Sequence, residues 1–341
     1  MNIADMHCDT ISEIWEAKKR GEDCCLRRNR LMIDLERLKK SGYLVQNFAL
    51  FVDRRQAARE NMGSFAAVRE LIQVFKQEMH ENDDLIGEVH SLDEILENEK
   101  RGRLSALLTV EEGGVCEGEL AKLYDLYENG VRMMTLTWNY PNELGYPNYN
   151  ENGDLYVPDT MHGLTKTGFS FVEEMERLGM IIDVSHLSDA GFYDVWQNTK
   201  KPFVASHSNA RGVCRAARNL SDDMIRKLGE RGGVAGLNFS VDFLRNYEGG
   251  EKLDARNPEN WGLGYASLSD IAEHAKYLAK HGGIGCVGLG SDFDGIPPHP
   301  ELSGAESISL LAGELAKAGF HESEIDKILY QNVLRVYGEV F

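Results

Sequence analysis

Residues of the types that bind metal ions follow short apolar runs at five places in the sequence. They are His7 and Asp9, Glu111 and Glu112, His186, His207, and Asp292 and Asp294. Residues two apart on an extended chain point to the same side, so His7 and Asp9 can hold one ion together. Imidazole nitrogens and carboxylate oxygens are ligands of zinc. The pattern therefore predicts a site for one or two zinc ions.

Three of these positions indicate what the ions would do. A carboxylate set between two metals can bridge them. Glu111, which directly follows its apolar run, is the favoured bridge, and Glu112 is the less favoured one. Asp292 would supply an acid or a base. Two ions that share a hydroxide generate a nucleophile near neutral pH and polarise a carbonyl, so the sequence predicts hydrolysis of an amide.

Each position taken alone has a simpler explanation. His7 and Asp9 could form a structural pair, His186 could be a core histidine, and Asp183 could satisfy local backbone groups. Five separate runs that all end in His, Asp or Glu are difficult to explain by packing, since apolar residues are less costly to bury. The histidines without convergent partners are expected on the surface: His80, His90, His274, His281, His299 and His321.

The elements that must position these residues alternate along the whole chain. Apolar, β-branched-rich runs predict eight strands, at 3–6, 44–51, 105–110, 131–137, 180–184, 203–206, 234–239 and 286–291. Apolar residues at helical spacing predict helices between them, as at 167–178, 222–231 and 268–281. No glycine-rich phosphate loop follows the first strand, so the pattern favours a (β/α)8 TIM barrel over a doubly wound sheet. The carboxyl ends of barrel strands share one rim, where the candidate ligands would meet.

Two irregular segments interrupt this alternation. Residues 137–161 are rich in Asn, Tyr, Pro and Gly, and connections of this length are often functional. Residues 246–264 would cover the site as a lid. No linker, repeat or low-complexity tract divides the chain, so residues 1–341 are expected to form a single domain.

Composition argues against several classes of partner. The chain has 341 residues, with 37 Lys and Arg against 55 Asp and Glu, and a formal charge of −18 at pH 7. This charge has the wrong sign for binding a phosphate backbone, so no nucleic acid is expected. No apolar run approaches the ~20 residues that span a bilayer, so no membrane partner is expected either. Six scattered cysteines without a CxxC pair are expected to be free thiols, and a cytoplasmic location is expected.

Five motifs make the chain resemble the membrane (renal) dipeptidase family of zinc peptidases. They are DMHCDT, TVEEGG, GLTKTGFSFVEEMERLGMIIDVSHLS, ASHSNARGVCRAARNLSDD and GLGSDFDG, in this order. The resemblance covers essentially the whole chain. It implies a (β/α)8 barrel with two zinc ions per chain, one held by His7 and Asp9 and the other by His186 and His207. A glutamate would bridge both ions, and the motif spacing favours Glu111.

The same resemblance implies a substrate and the roles of two further residues. Members of the family cleave free dipeptides and tolerate a D-residue at the C-terminal position. A bridging hydroxide would attack the carbonyl, while Asp292 takes its proton and delivers it to the leaving amine. Arg218 would pair with the free carboxylate of the substrate, because a planar guanidinium binds carboxylate bidentately. The alternative for Arg218 is a surface ion pair. Relatives suggest a homodimer.

One position departs from the family pattern. Mammalian members carry a substrate-contacting histidine after the LTLT strand, where this sequence has Trp138 followed by Asn139. The metal alone, or Asn139 as another donor, would then polarise the scissile carbonyl. No signal peptide or lipid anchor is expected, and the C-terminal residues ILYQNVLRVYGEVF predict an amphipathic closing helix.

Two other functions stay open at this point. The first is a metal-dependent barrel hydrolase that acts on a non-peptide amide, a lactone or a phosphoester. The second is a metal-binding protein that has the fold without the activity. Turnover on a dipeptide panel and the Michaelis constant of an Arg218→Ala variant distinguish them from a dipeptidase.

Overall fold

The computed structural model describes residues 1–149, 154–246 and 265–341. The strands within these residues are β1 (Ile3–Asp5), β2 (Tyr43–Phe51), β3 (Ile86–Glu88), β4 (Leu104–Glu111), β5 (Val131–Thr135), β6 (Ile181–Asp183), β7 (Val204–Ala205), β8 (Val234–Leu237) and β9 (Val287–Leu289). They form one sheet in the order β2-β1-β9-β8-β7-β6-β5-β4-β3.

The sheet closes because β2 pairs with β4 as well as with β1. The parallel register between β2 and β4 runs from Val45 opposite Ser105 to Phe51 opposite Glu111. β3 pairs with the first residues of β4 and stands beside the ring of eight strands. The predicted (β/α)8 barrel is confirmed, with each of the eight predicted strands in the ring. β3 escapes prediction because three residues with a central glycine give no periodic signal.

Helices follow the strands and surround the barrel. They are α1 (Thr10–Lys19), α2 (Leu35–Ser41), α3 (Arg54–Arg59), α4 (Ser64–Glu81), α5 (Leu92–Lys100), α6 (Leu120–Glu128), α7 (Lys166–Leu178), α8 (Asp189–Asn198), α9 (Asp222–Glu230), α10 (Val241–Leu244), α11 (Leu268–Gly282), α12 (Ile308–Lys317), α13 (Glu322–Asp326) and α14 (Asn332–Val340). Hydroxyl caps fix the starts of several of them. The Ser188 hydroxyl, for example, accepts a hydrogen bond from the Gly191 N–H at 3.0 Å and begins α8 directly after the β6 loop.

The C-terminal helix α14 closes the barrel at the end where the strands begin. Its residues Val336 and Tyr337 belong to the same buried cluster as the strand residues Met133 and Val234. The Lys201 ammonium, which precedes β7, donates to the carbonyl of Val340 at 2.9 Å. The predicted closing helix is therefore present, and the opposite rim stays open for a site.

Two histidines that were expected on the surface are buried in this fold. His274 on α11 and His299 are 0% and 2% exposed. The His274 ring accepts a hydrogen bond from the Ala210 N–H at 3.1 Å and contacts the carbonyl of Leu244 at 3.0 Å. The surface expectation is wrong for both because each side chain lies on the inward face of its segment.

Most of the predicted lid, 246–264, lies outside the described residues, as does part of the segment 137–161. Within the described ranges, no helix combines the length and the apolar character needed to cross a membrane. The six cysteines are free thiols.

Candidate metal centre

The barrel brings the predicted ligands together at the carboxyl ends of its strands. His7 and Asp9 follow β1, Glu111 is the last residue of β4, His186 follows β6 and His207 follows β7. All five residues are buried, with 1% to 6% of their surface exposed. Two overlapping groups of these side chains have ligand atoms within 4.8 Å of one another, namely His7, Glu111 and His207, and His7, Asp9 and Asp292.

Glu111 lies at the centre of this cluster and directs its two oxygens to different partners. Oε2 lies 3.4 Å from the Nε2 atom of His7. Oε1 lies 2.9 Å from Nε2 of His186 and 3.6 Å from Nε2 of His207. This is the arrangement that a carboxylate bridging two ion positions would have.

The ring contacts of the two histidines beside Oε1 leave their Nε2 atoms without protons. Nδ1 of His186 lies 2.8 Å from Oδ1 of Asn139, an acceptor, so this ring nitrogen carries the proton. Nδ1 of His207 lies 2.8 Å from the Ser206 hydroxyl, which donates its own proton to Asp183 at 2.6 Å. Both Nε2 atoms therefore present lone pairs, and they lie 3.0 Å apart. Two lone pairs and a carboxylate oxygen in such proximity fit a cation.

The side of the cluster near His7 also holds polar atoms without hydrogen-bond partners. Nε2 of His7 lies 3.4 Å from Oδ2 of Asp9 and 3.7 Å from Oδ1 of Asp292. Both ring nitrogens of His7 and Oδ1 of Asp9 are buried without a hydrogen bond. Asp9 stands at the N-cap of α1, yet its side chain makes no capping bond. Because unpaired buried polar groups are costly, these atoms also fit a bound cation.

Burial shifts the pKa values of these groups in the direction that disfavours their charged forms. Burial raises the pKa of Glu111 to about 7, although the His7 charge opposes the shift. It raises the pKa of Asp292 to about 6 in the same way. Burial, together with the charges of Arg218 and His7, holds the pKa of His186 and of His207 well below the usual range. The imidazoles of His186 and His207 are thus neutral, as ligands must be. At His7 the neighbouring carboxylates outweigh burial and raise the pKa well above its usual range, so His7 would release a proton when a divalent cation binds.

Glu112 faces away from the cluster. Its backbone has φ of 85°, which turns the side chain off the line of β4. One carboxylate oxygen accepts from the Gly114 N–H at 2.8 Å and from the Asn142 amide at 2.6 Å, and the other accepts from the Trp138 N–H at 2.8 Å. Glu112 therefore holds the loop after β5, and Glu111 is the glutamate that lies among the candidate ligands.

The two aspartates after β9 also differ in whether their side chains face the cluster. Asp292, at φ of 62°, accepts a hydrogen bond on Oδ2 from the Asn238 amide at 2.9 Å and directs Oδ1 to the cluster. Asp294 instead accepts from the Thr10 hydroxyl and from the Met32 N–H, both at 2.6 Å. Asp294 thus orients neighbouring loops, and Asp292 is the free carboxylate of the pair.

Arg218 is 4% exposed, and this burial contradicts the surface ion pair that the sequence left open. One guanidinium nitrogen donates to the Ser208 hydroxyl at 3.3 Å, and the group lies 5.4 Å from the ring centre of Phe243. Among the described residues, no carboxylate forms an ion pair with it. Burial lowers its pKa to about 10, with Asp292 and Glu111 acting against that shift. A buried cation without a counter-ion is suited to binding an anionic group of a ligand.

A cavity of about 380 Å³ joins these groups. Its walls include four of the five candidate ligands, all except His7, together with Asp292, Arg218, Trp138 and Asn139. The Trp138 ring packs against Phe51, with ring centres 4.8 Å apart, and forms an apolar wall. Asn139 contacts His186, so its predicted contact with substrate stays a prediction, as does that of Trp138.

The sequence interpretation missed Asp5, and it offered Asp183 only as a partner for local backbone groups, although both residues hold the ligand segments in place. Asp5 accepts the N–H and the hydroxyl of Ser291 at 2.9 and 2.6 Å, which ties β1 to β9 at the rim. Asp183 joins three strands in a similar way. The available signal was a carboxylate at the end of an apolar strand, two or three residues before a histidine.

A closed (β/α)8 barrel with buried histidines and carboxylates at the carboxyl ends of its strands defines a metal-dependent barrel hydrolase. The family model of the membrane dipeptidases, peptidase family M19, matches residues 1–341. The chain therefore belongs to the membrane dipeptidase family, and the resemblance drawn from the five motifs is confirmed.

Two curated relatives agree with this assignment, and a solved structure shares the fold. An uncharacterized dipeptidase of Schizosaccharomyces pombe is 30% identical over 321 residues, which cover 89% of this chain and 71% of the relative. The dipeptidase aclJ of Aspergillus oryzae is 30% identical over 318 residues, covering 90% and 70% of the two chains. A metallopeptidase of Rhodobacter sphaeroides, solved with a phosphinate mimic of the dipeptide L-Ala-D-Ala, superposes with a TM-score of 0.85 at 22% identity, covering 100% of this chain and 99% of that one.

Proposed function

We propose that this metal-dependent dipeptidase binds two zinc ions and hydrolyses free dipeptides, including those with a C-terminal D-residue. The observation that carries the proposal is the position of Glu111. One of its oxygens faces His7 and the other faces His186 and His207. The same cavity is lined by the buried Arg218, which has no ion-pair partner among the described residues. A site for paired cations therefore lies beside a site for a substrate carboxylate.

The ligand sets follow from the contacts around Glu111. His7 and Asp9 would hold one ion, His186 and His207 the other, and Glu111 both. Nitrogen and oxygen ligands in this number suit zinc. When bound, such ions lower the pKa of a coordinated water and polarise the carbonyl of the scissile amide.

Arg218 would bind the carboxylate of the dipeptide and thereby select substrates with a free C-terminus. A charge-assisted pair in a buried site contributes strongly, and a cavity of about 380 Å³ suits a small ligand. β7, which precedes the Arg218 segment, lies opposite β2 in the ring of eight strands. On the β1 and β2 side the acidic Glu13 and Asp53 line the cavity. This polarity matches a dipeptide, whose carboxylate and ammonium lie at opposite ends.

Asp292 would move the proton during the reaction. Asn238 occupies Oδ2 of Asp292, while Oδ1 faces the cluster, so one oxygen is free to accept a proton from the attacking water. The same oxygen would then deliver the proton to the leaving amine. A pKa of about 6 suits a group that must both take and release a proton near neutral pH.

The proposed acceptance of a C-terminal D-residue is supported by the Rhodobacter sphaeroides metallopeptidase, whose bound ligand mimics L-Ala-D-Ala. Metal analysis combined with a panel of L,L- and L,D-dipeptides tests the proposal. We expect about two zinc ions per chain and turnover of dipeptides, with loss of turnover for the corresponding dipeptide amides. Turnover of lactones or phosphoesters but not of dipeptides would contradict the proposed substrate, and a metal-loaded protein inert on the whole panel would contradict catalysis.

The assembly and location belong to the same proposal. Residues 1–341 would form a single domain that works in the cytoplasm as a homodimer. The free thiols are consistent with a reducing compartment. Analytical ultracentrifugation of the metal-loaded protein tests the dimer, and a single monomeric species at micromolar concentration would contradict it.

A further inference from the structure

Asp183 is a fully buried carboxylate at the end of β6 whose hydrogen bonds all come from neutral groups. Oδ1 accepts from the N–H and the hydroxyl of Ser185 at 3.0 and 2.7 Å, and from the N–H of Ser206 at 2.8 Å. Oδ2 accepts from the hydroxyls of Thr135 and Ser206, both at 2.6 Å. One carboxylate thus fixes two serine hydroxyls that lie directly beside the candidate metal ligands.

Both of these hydroxyls contact His207. The Ser206 hydroxyl has one proton, which it donates to Asp183, so towards Nδ1 of His207 at 2.8 Å it accepts. The Ser185 hydroxyl also donates to Asp183 and accepts from the backbone N–H of His207 at 3.0 Å. The carboxylate therefore fixes the direction of each hydroxyl, and the hydroxyls fix the ring and the backbone of His207.

We propose that Asp183 and Ser206 form a positioning relay that holds His207 in the Nδ1–H tautomer, which leaves the lone pair of Nε2 available to a metal ion. A ligand that is already in the correct tautomer and orientation binds metal without the cost of ordering it. The relay rests on the proposed function, because it requires His207 to be a metal ligand. Asp183 is not one of the proposed ligands, and it acts on the ring of His207 through Ser206.

A second branch of the network leads to the substrate side and provides a matched control. The Ser208 hydroxyl donates to the carbonyl of Ser185 at 3.2 Å and accepts from the Arg218 guanidinium at 3.3 Å. Ser206 and Ser208 flank His207 in the sequence, and both are buried, at 0% and 1% exposure. Loss of either hydroxyl removes buried hydrogen bonds, but only the loss of Ser206 frees the His207 ring.

The experiment compares Ser206→Ala with Ser208→Ala in the full-length protein. Zinc affinity is measured by competition with a chelator, and the 15N shifts of histidine-labelled, metal-free protein report which ring nitrogen of His207 carries the proton. We expect Ser206→Ala to weaken zinc binding by about 10- to 100-fold and to mix the two tautomers of His207. We expect Ser208→Ala to leave zinc binding and tautomer unchanged and to raise the KM for dipeptides by about 2- to 10-fold.

A purely structural role for the network would lower the thermal stability of the two metal-free variants alike and leave the tautomer of His207 unchanged. That result, or equal zinc affinity in Ser206→Ala and the wild type, would overturn the relay. Ser206→Cys nearly keeps the side-chain volume but replaces the hydroxyl with a weak donor. We expect it, like Ser206→Ala, to weaken zinc binding and to mix the two tautomers of His207. His207→Gln separates the two proposals: if it binds zinc like the wild type, the ligand assignment fails, and if it loses zinc while Ser206→Ala does not, only the relay fails.

Discussion

The Nε2 atoms of His186 and His207 lie 3.0 Å apart, and the partners of both Nδ1 atoms place the ring protons on the far side of each imidazole. Two lone pairs at this distance repel each other. Each ring is nevertheless held firmly by a neighbour, Asn139 or Ser206. The protein is therefore organised for a positive charge between its strand ends before any ion binds.

The first prediction concerns the loss of one of these ligands. His186→Ala is expected to lower the zinc content by about one ion per chain and to abolish turnover, because one nitrogen of the set is gone. Removal of metal from the wild type is expected to lower the free energy of unfolding. At a free zinc concentration of 1,000 times the Kd this loss is about 4 kcal/mol. Elemental analysis and calorimetry of both proteins measure these effects.

The control for this variant is His162→Ala. His162 is an exposed histidine that pairs with Asp159 at 2.9 Å and lies outside the cluster. It should keep full zinc content and turnover. Full activity in His186→Ala would refute the assigned ligand set.

A second prediction isolates proton transfer at Asp292. Asp292→Asn is expected to retain both metal ions and to lose most of its turnover, since the amide cannot take up the proton. The backbone tolerates the change, because asparagine is among the residues that adopt a positive φ, here 62°. Zinc content and kcat are measured on the same preparation.

Asp294→Asn is the matched control, with the same substitution at a φ of 68° two residues further on. It weakens the contacts with Thr10 and Met32 and should lower stability while leaving turnover per folded molecule nearly unchanged. Loss of zinc together with activity in Asp292→Asn would show that Asp292 is a metal ligand.

The third prediction tests recognition of the substrate carboxylate. Arg218→Ala is expected to reduce kcat/KM for dipeptides by about 10- to 100-fold, chiefly through KM, because a hydrogen-bonded charge pair contributes about 1.5–3 kcal/mol. The residual turnover of dipeptide amides, which is already low in the wild type because they lack the charge, should change little. Arg215→Ala is the control, because Arg215 belongs to the same segment but is exposed. An unchanged KM for dipeptides in Arg218→Ala would exclude this role.

The fourth prediction concerns pH and stability, and it depends on a residue remote from the cluster. Burial lowers the pKa of His274 to about 4. The imidazole takes up a proton near pH 6.5 in the unfolded chain but only near pH 4 in the folded protein. The free energy of unfolding that depends on neutral His274 is therefore fully present above about pH 6.5 and is lost as the pH falls towards 4. A shift of this size corresponds to about 3 kcal/mol.

Denaturant unfolding between pH 4 and 7 measures this effect against His274→Gln. We expect the variant to show a weaker loss of unfolding free energy over this range than the wild type, by about 3 kcal/mol. His321→Gln, which changes an exposed histidine, should match the wild type. Equal pH dependence in all three proteins would contradict the role of His274.

Residue type and position within the strands predicted most of the site. His7, Glu111, His186 and His207 each stand at or beyond the end of an apolar strand, and a parallel barrel gathers such ends at one rim. The local pattern therefore predicted that these residues lie close together, although they are separated by up to 200 positions in the sequence.

The sequence pattern could not decide between candidates that are neighbours in the sequence. Glu111 and Glu112 are adjacent and chemically identical. The left-handed backbone at Glu112 turns its side chain away from the cluster, whereas the side chain of Glu111 faces the cluster. Asp292 and Asp294 share a positive φ and differ in their partners, since hydrogen bonds from Thr10 and Met32 occupy both oxygens of Asp294. These contacts come from segments remote in the sequence, and no local spacing encodes them.

The amino-acid sequence by itself determined the barrel, the kinds of ligand and the rim on which they lie, because strand periodicity and residue chemistry are local properties. Only the tertiary structure decided which carboxylate joins the cluster, that Arg218 is buried with no ion-pair partner in the described part of the chain, and that Asp183 directs the hydroxyls around His207. Those outcomes depend on burial and on hydrogen bonds between strands, which exist only once the sheet has closed.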